Sequence, residues 1–443
     1  MKFNFKDLFI YASIAAVSLG SAMAQDNRNL SSNATLDELI NFALSNKIEV
    51  KQAKIDQEIA EREIASALSG WFPQINANGN LSHFIQLPTA YINGQNIAMG
   101  QKNTSSLTFQ ADQAIINPGL FQASKAAQFI RQQNTLNMEN TKINTVVDVS
   151  KAYYDILTSE EQINIINENI ARIQRQYTDA NARYETGLVD KIDYKRAQIS
   201  LNNANAQLKS ALEIRKYKYD YLKTLLGLNP TDGLNLSFVG QDMEANVLLD
   251  TSELVQIANR VEYRQLKNLQ DIQKLNTQYQ KWNYLPRLSA FANYGLNYRN
   301  NAFADLYGNN FPQSSVGLTL SIPIFQGTKR VQEIRKSELQ ETRLEMDLEN
   351  LENQIGAQYS AAMASYRANT IEWRNAKDNM DLSEEVYNTI KLQYDAGLKT
   401  YLELMTAETD LKTSQLNYLN SLYAVLASKL DIQKALGTVD INN

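Results

Sequence analysis

The sequence predicts a mainly α fold that carries membrane β-strands, built from a duplicated helix–strand–strand–long helix–helix unit. An internal repeat, heptad seams and two blocks of period-two alternation between prolines predict it. The repeat is clearest in Tyr184-Glu-Thr-Gly187-Leu188, followed by Asp193 and Ala197. It returns 210 positions later as Tyr394-Asp-Ala-Gly397-Leu398, followed by Glu403 and Ala407. The same offset joins Leu201 to Leu411 and Leu226-Gly227 to Leu436-Gly437. An offset held over such a span marks an internal duplication.

The N-terminus places Lys2 and Lys6 before an apolar run from Leu8 to Leu19 and then Ser21-Ala22-Met23-Ala24. This is the layout of a signal peptide over residues 1–24, with cleavage after Ala24 and export from the cytoplasm. The apolar run is about 12 residues, short of the roughly 20 that cross a bilayer as a helix. The 443-residue chain contains no cysteine, which excludes disulfides, thiolate metal sites, a cysteine nucleophile and a lipid-bearing cysteine. His83 is the sole histidine, and the net charge of −5 without a basic cluster argues against nucleic acid. No nucleophile–base pair, metal cluster or phosphate loop is visible, so neither an enzyme nor a cofactor is expected.

The first repeat spans residues 25–228. Thr35-Leu-Asp-Glu38 is a capping box that opens a helix running to about Ser69. Trp71-Phe72-Pro73 stops it. In the second repeat, residues 251–443, Asp250-Thr-Ser-Glu253 opens a helix that runs to about Asn283 and stops at Pro286. Strands follow over about 74–86 and 104–115, and again over about 288–299 and 315–323. Leu288, Ala290, Ala292, Tyr294, Leu296 and Tyr298 alternate with Ser289, Phe291, Asn293, Gly295 and Asn297. One face is apolar and the other mostly polar, as in a strand between lipid and water. A half-buried strand of a soluble sheet has the same periodicity. Exposed loops rich in Asn, Gly and Tyr join each strand pair.

Helices of about 66 residues come next, from Gly119 to about Tyr184 and from Gly327 to about Tyr394. At 1.5 Å per residue each is on the order of 100 Å long. Ile163, Ile166, Ile170, Ile173, Tyr177, Ala180 and Tyr184 step by threes and fours, as do Trp373, Ala376, Met380, Ser383, Tyr387, Ile390 and Tyr394. These are coiled-coil seams. The seam restarts at Ala197, Leu201, Ala204, Leu208 and Ala211, so each Tyr-x-x-Gly-Leu turn is the tip of a helical hairpin. Gly187 and Gly397 stand where a helix end needs positive φ. Residues 229–250, with Asn229-Pro230 and Asp232-Gly233, form a linker near the middle of the body.

Four strands do not close a barrel, since single-chain membrane barrels begin at eight. An open sheet in lipid leaves unpaired edges. Lipid-facing strands therefore require several chains to pool them.

With the turns, the duplicated element order and the ending Leu430-Asp-Ile-Gln-Lys-Ala-Leu436-Gly437, the chain resembles the outer-membrane efflux family of TolC-like channel-tunnels. The resemblance covers almost the whole mature chain. It implies a homotrimer whose pooled 12-stranded β-barrel sits in outer-membrane lipid of a Gram-negative cell and continues as an α-helical barrel across the periplasm. It also implies a passive exit duct of a tripartite efflux or type I secretion system. A periplasmic adaptor (membrane fusion protein) would dock on the hairpin tips, Thr186-Gly187-Leu188 and Ala396-Gly397-Leu398, joining an inner-membrane pump of RND or ABC type. The family's gate positions fall on Tyr394 (latch tyrosine), Lys399 (its basic partner, usually arginine), Asp193 and Glu403 (first acidic ring). The second acidic ring position falls on Thr406, a departure that removes one carboxylate per chain. Three Glu403 side chains around one axis would raise each other's pKa. The rival reading is a secreted or periplasmic coiled-coil structural or adhesive protein, which accounts for the heptads but not the amphipathic strands.

Overall fold

The computed structural model describes residues 33–187, 190–237, 243–245, 247 and 255–441. The signal peptide, Leu188, the Asp250–Glu253 capping pattern and much of the linker lie outside the described residues.

The capping box at Thr35 is formed in both directions and starts α1 (Leu36–Asn46). The single helix expected from there to Ser69 is two helices. Lys47, at ψ 135°, ends α1 and begins α2 (Ile48–Leu68). The break turns Leu39 and Ala43 into the central core while α2 runs on to the sheet. The second repeat breaks at the corresponding place. A short 3-10 turn, Ile257–Asn259, leads to Arg260 at ψ 129° and then α5 (Val261–Trp282). Each break nests against the glycine that ends its repeat. A Cβ on Gly227 would lie 2.7 Å from the Asn46 carbonyl oxygen, and one on Gly437 would lie 3.3 Å from that of Asn259.

The sheet comprises β1 (Gln74–His83), β4 (Asn103–Ile116), β5 (Arg287–Asn300) and β6 (Gln313–Ser321), antiparallel and in the order β1-β4-β5-β6. Between β1 and β4, where a loop was expected, β2 (Thr89–Ile92) and β3 (Gln95–Ala98) form a hairpin. Asn93 and Gly94, both at positive φ, make its two-residue turn.

The register gathers the alternation of all four strands. Ile75, Ala111, Ala292 and Val316 form one row; Gly79, Leu107 and Leu296 form another. The opposite face carries Asn76, Gln110, Asn293 and Ser315 in one row. The apolar face is bare, with Val316 83% and Leu318 68% exposed. A half-buried sheet of a soluble protein packs such a face against a core.

The long helices are α3 (Pro118–Glu185) and α6 (Lys329–Asp395), and the return helices are α4 (Lys191–Leu226) and α7 (Tyr401–Leu436). Beneath the sheet, α2 packs on α3, α3 on α5 and α5 on α6, which repeats the strand order. Away from the sheet, α3 pairs with α4 and α6 with α7, and α3 touches α7. The predicted seams are buried at Ile163, Ile166, Ile173, Ala197, Ala204 and Ala211, and at Trp373, Ala376, Tyr387, Ala407 and Leu411. The main core lies between the sheet and the tips, around Tyr153, Ile156, Leu222, Val425 and Ile432. Tyr153 donates to the Ser237 carbonyl (2.9 Å) and Tyr366 to that of Val247 (2.8 Å), which pins described parts of the linker to this core.

Candidate functional site

The site is built at the two hairpin tips. In the first, the Gly187 N–H donates to the Tyr184 carbonyl (3.0 Å) at φ +75°, and the Thr186 hydroxyl donates back to the Arg183 carbonyl (3.0 Å). Asp190 caps α4 through the Ile192 N–H. In the second, Gly397 at φ +77° donates to Tyr394 (2.9 Å) and Leu398 to Gln393 (2.8 Å). The latter pair of bonds closes the end of α6. A Cβ on either glycine would meet nothing within 4 Å. Backbone conformation therefore demands glycine here, and the space around the tips is open. Leu398 stands 78% exposed.

The gate candidates fall into two groups. Lys399 and Glu403 meet directly, Nζ to Oε1 at 2.6 Å. Glu403 also accepts from the N–H and hydroxyl of Thr400, completing a capping box at the start of α7. The Lys399 contact, then the Thr400 contacts, hold the Glu403 carboxyl down at about 2 within one chain. This is opposite in sign to the rise expected from three crowded carboxylates. A carboxylate with a depressed folded value contributes its stabilisation above its ordinary pKa of 4.5 and loses it as pH falls through about 2. Infrared titration of protein labelled at the Glu403 carboxyl should give a midpoint well below 4.5; a midpoint above that would mean crowding dominates.

Tyr394 belongs to the second group. It packs on Tyr401 (ring centroids 6.3 Å apart) and lies under the Arg183 guanidinium of the other hairpin (5.7 Å). Burial, and after it Asp193 among other neighbours, raises the Tyr394 phenol. Among the described residues no hydrogen bond joins Asp193 to Tyr394 or Lys399 within one chain.

A third group was not anticipated from sequence. Glu408 of α7 is 4% exposed and accepts from Arg172 Nε (3.2 Å) and Gln176 Nε2 (2.8 Å) of α3. Burial pushes its carboxyl up, against the pull of Gln176 and Arg172. The partners are more than two hundred residues apart in sequence, so no local spacing announces them.

A sheet with one bare apolar face, feeding helical hairpins on the order of 100 Å long that end in matched glycine turns, has the build of a membrane-anchored duct. The outer membrane efflux protein family matches residues 39–228 and 269–438, and the chain belongs to it. Outer membrane protein TolC of Vibrio cholerae is 21% identical over 452 residues, spanning 98% of this chain and 96% of that one. That of Escherichia coli is 21% identical over 434 residues, spanning 93% and 84%. In fold, the chain is similar to the crystal structure of CusC, with a TM-score of 0.75 at 16% identity over 91% of this chain and 92% of that one. The protein is an outer-membrane exit duct of the efflux and secretion type in a Gram-negative cell. It is a conduit and not an enzyme.

Proposed function

We propose that three copies pool their sheets into a 12-stranded barrel in the outer membrane and their helices into a barrel across the periplasm. The observation that carries this reading is the open four-stranded sheet with its in-register apolar face. β1 and β6 each present an unpaired edge, which lipid does not tolerate. Pairing β6 of one copy with β1 of the next removes both. After loss of residues 1–24, the two repeats, 25–228 and 251–443, would each supply one strand pair and one hairpin, joined by the 229–250 linker.

In this assembly the tips form a periplasmic gate. Tyr394, Lys399 and Asp193 form the latch, and three Glu403 carboxylates line the neck. Lysine lacks the planar fork of arginine, so the latch holds more loosely. The tips, Thr186-Gly187-Leu188 and Ala396-Gly397-Leu398, receive the periplasmic adaptor, and through it an inner-membrane pump of RND or ABC type drives the substrate. Channel recording tests this. The purified protein should conduct in planar bilayers, and Glu403→Gln should lower its cation selectivity. Glutamine preserves the capping box, so the change reports charge. Unaltered selectivity would remove Glu403 from the neck.

A further inference from the structure

Two hairpins that change their relative position at a gate need something that fixes their register. Several cross-hairpin contacts on the tip half are soft. Arg183 lies over the Tyr394 ring, Lys412 Nζ reaches Gln207 Oε1 at the surface (3.2 Å), and the Ser200 hydroxyl rests 3.8 Å from the Met405 sulfur. The Arg172–Glu408 contact differs in kind because the carboxylate is buried. The guanidinium also lies 5.7 Å from the Tyr387 ring centroid, so one arginine of the first hairpin touches both helices of the second. Its Nη1 is 3.7 Å from the exposed Glu168, and its buried Nη2 has no partner.

A polar cavity of about 200 Å³ adjoins this contact, bordered by Gln176, Ser200, Asn203, Tyr401 and Glu408. Tyr401 is buried and its hydroxyl has no hydrogen-bond partner. A buried ion pair is a weak source of stability, but it penalises an arrangement that breaks it. Removing one partner strands a charge, whereas replacing both with apolar groups of similar size is tolerated. The contact therefore favours one alignment of the hairpins sharply, and the cavity offers the carboxylate a polar berth in another.

We propose that Arg172, Gln176 and Glu408 are positioning residues of the gate. They hold the second hairpin in its narrow register against the first, and widening carries Glu408 off Arg172 toward Ser200 and Asn203 of α4. This rests on the reading of the tips as a gate.

The test is single-channel recording of the full-length protein in planar bilayers, with trimer yield measured in parallel. Glu408→Ala and Arg172→Ala should each raise mean conductance several-fold, because the stranded partner favours the register in which it reaches water. The double variant Arg172→Leu/Glu408→Leu should return to within about twofold of native. Glu408→Gln keeps the side chain's shape while removing its charge, and should also conduct more; it stands in should the alanine variants fail to assemble. Native conductance in Glu408→Gln or in assembled single variants would overturn the proposal, as would a double variant as leaky as the singles. Failure of the native protein to conduct at all would instead defeat the channel reading.

Discussion

Leu318→Arg should abolish the membrane-assembled oligomer. Leu318 lies in β6, opposite Ala290, on the bare apolar face, and is 68% exposed in one chain. If that face meets hydrocarbon, an arginine there costs about 2–4 kcal/mol near the bilayer midplane, and it does so once in every chain. A protein domain is stable by only about 5–15 kcal/mol in all, so three such charges are enough to prevent assembly. Thr319→Arg is the matched control. Thr319 is the next residue along, opposite Ser289 on the polar face, where an arginine stays in water. The expected result is detergent-resistant oligomer from Thr319→Arg and none from Leu318→Arg. Equal yields would mean that the two faces see the same solvent, and the barrel would have no basis.

Gly397→Trp should abolish export while leaving the oligomer intact. The residue sits at φ +77°, where a side chain strains the backbone by roughly 1–2 kcal/mol. A Cβ there meets nothing within 4 Å, so no packing is disturbed. The indole projects instead into open space at the proposed adaptor contact. Gly397→Ala has the same backbone strain without the bulk and should keep most of the export activity. Growth in the presence of an exported toxic compound, scored against oligomer yield, distinguishes the cases. Equal loss in both variants would assign the glycine a purely conformational role.

These expectations draw on features that differ in how openly the sequence displays them. Helix ends at Pro118, Gly187, Gly397 and Gly437 are written in residues whose backbone preferences leave few choices, and the long helices begin and stop within a few positions of them. The strand faces follow from period-two alternation, which register then gathers onto one side. The break at Lys47 had no such marker, because it is set by how α1 packs on α3 and α4 across the core. The β2–β3 hairpin did have one: Asn93-Gly94 between short extended runs is a strong turn signal, hidden by the polar composition around it. At the tips, sequence placed Tyr394, Lys399 and Glu403 together but not the contact that ties Lys399 to Glu403 within its own helix end. Nothing in the local sequence marks Glu408. Only the crossing of α3 and α7 buries it beside Arg172.

The sheets of several chains are proposed to close one barrel in lipid. The most direct test is the mass of the protein extracted from outer membranes in mild detergent, with the detergent contribution subtracted. Pooled sheets predict a species of three chains that requires detergent to remain in solution. A monomer, or any species released by salt alone, would contradict it.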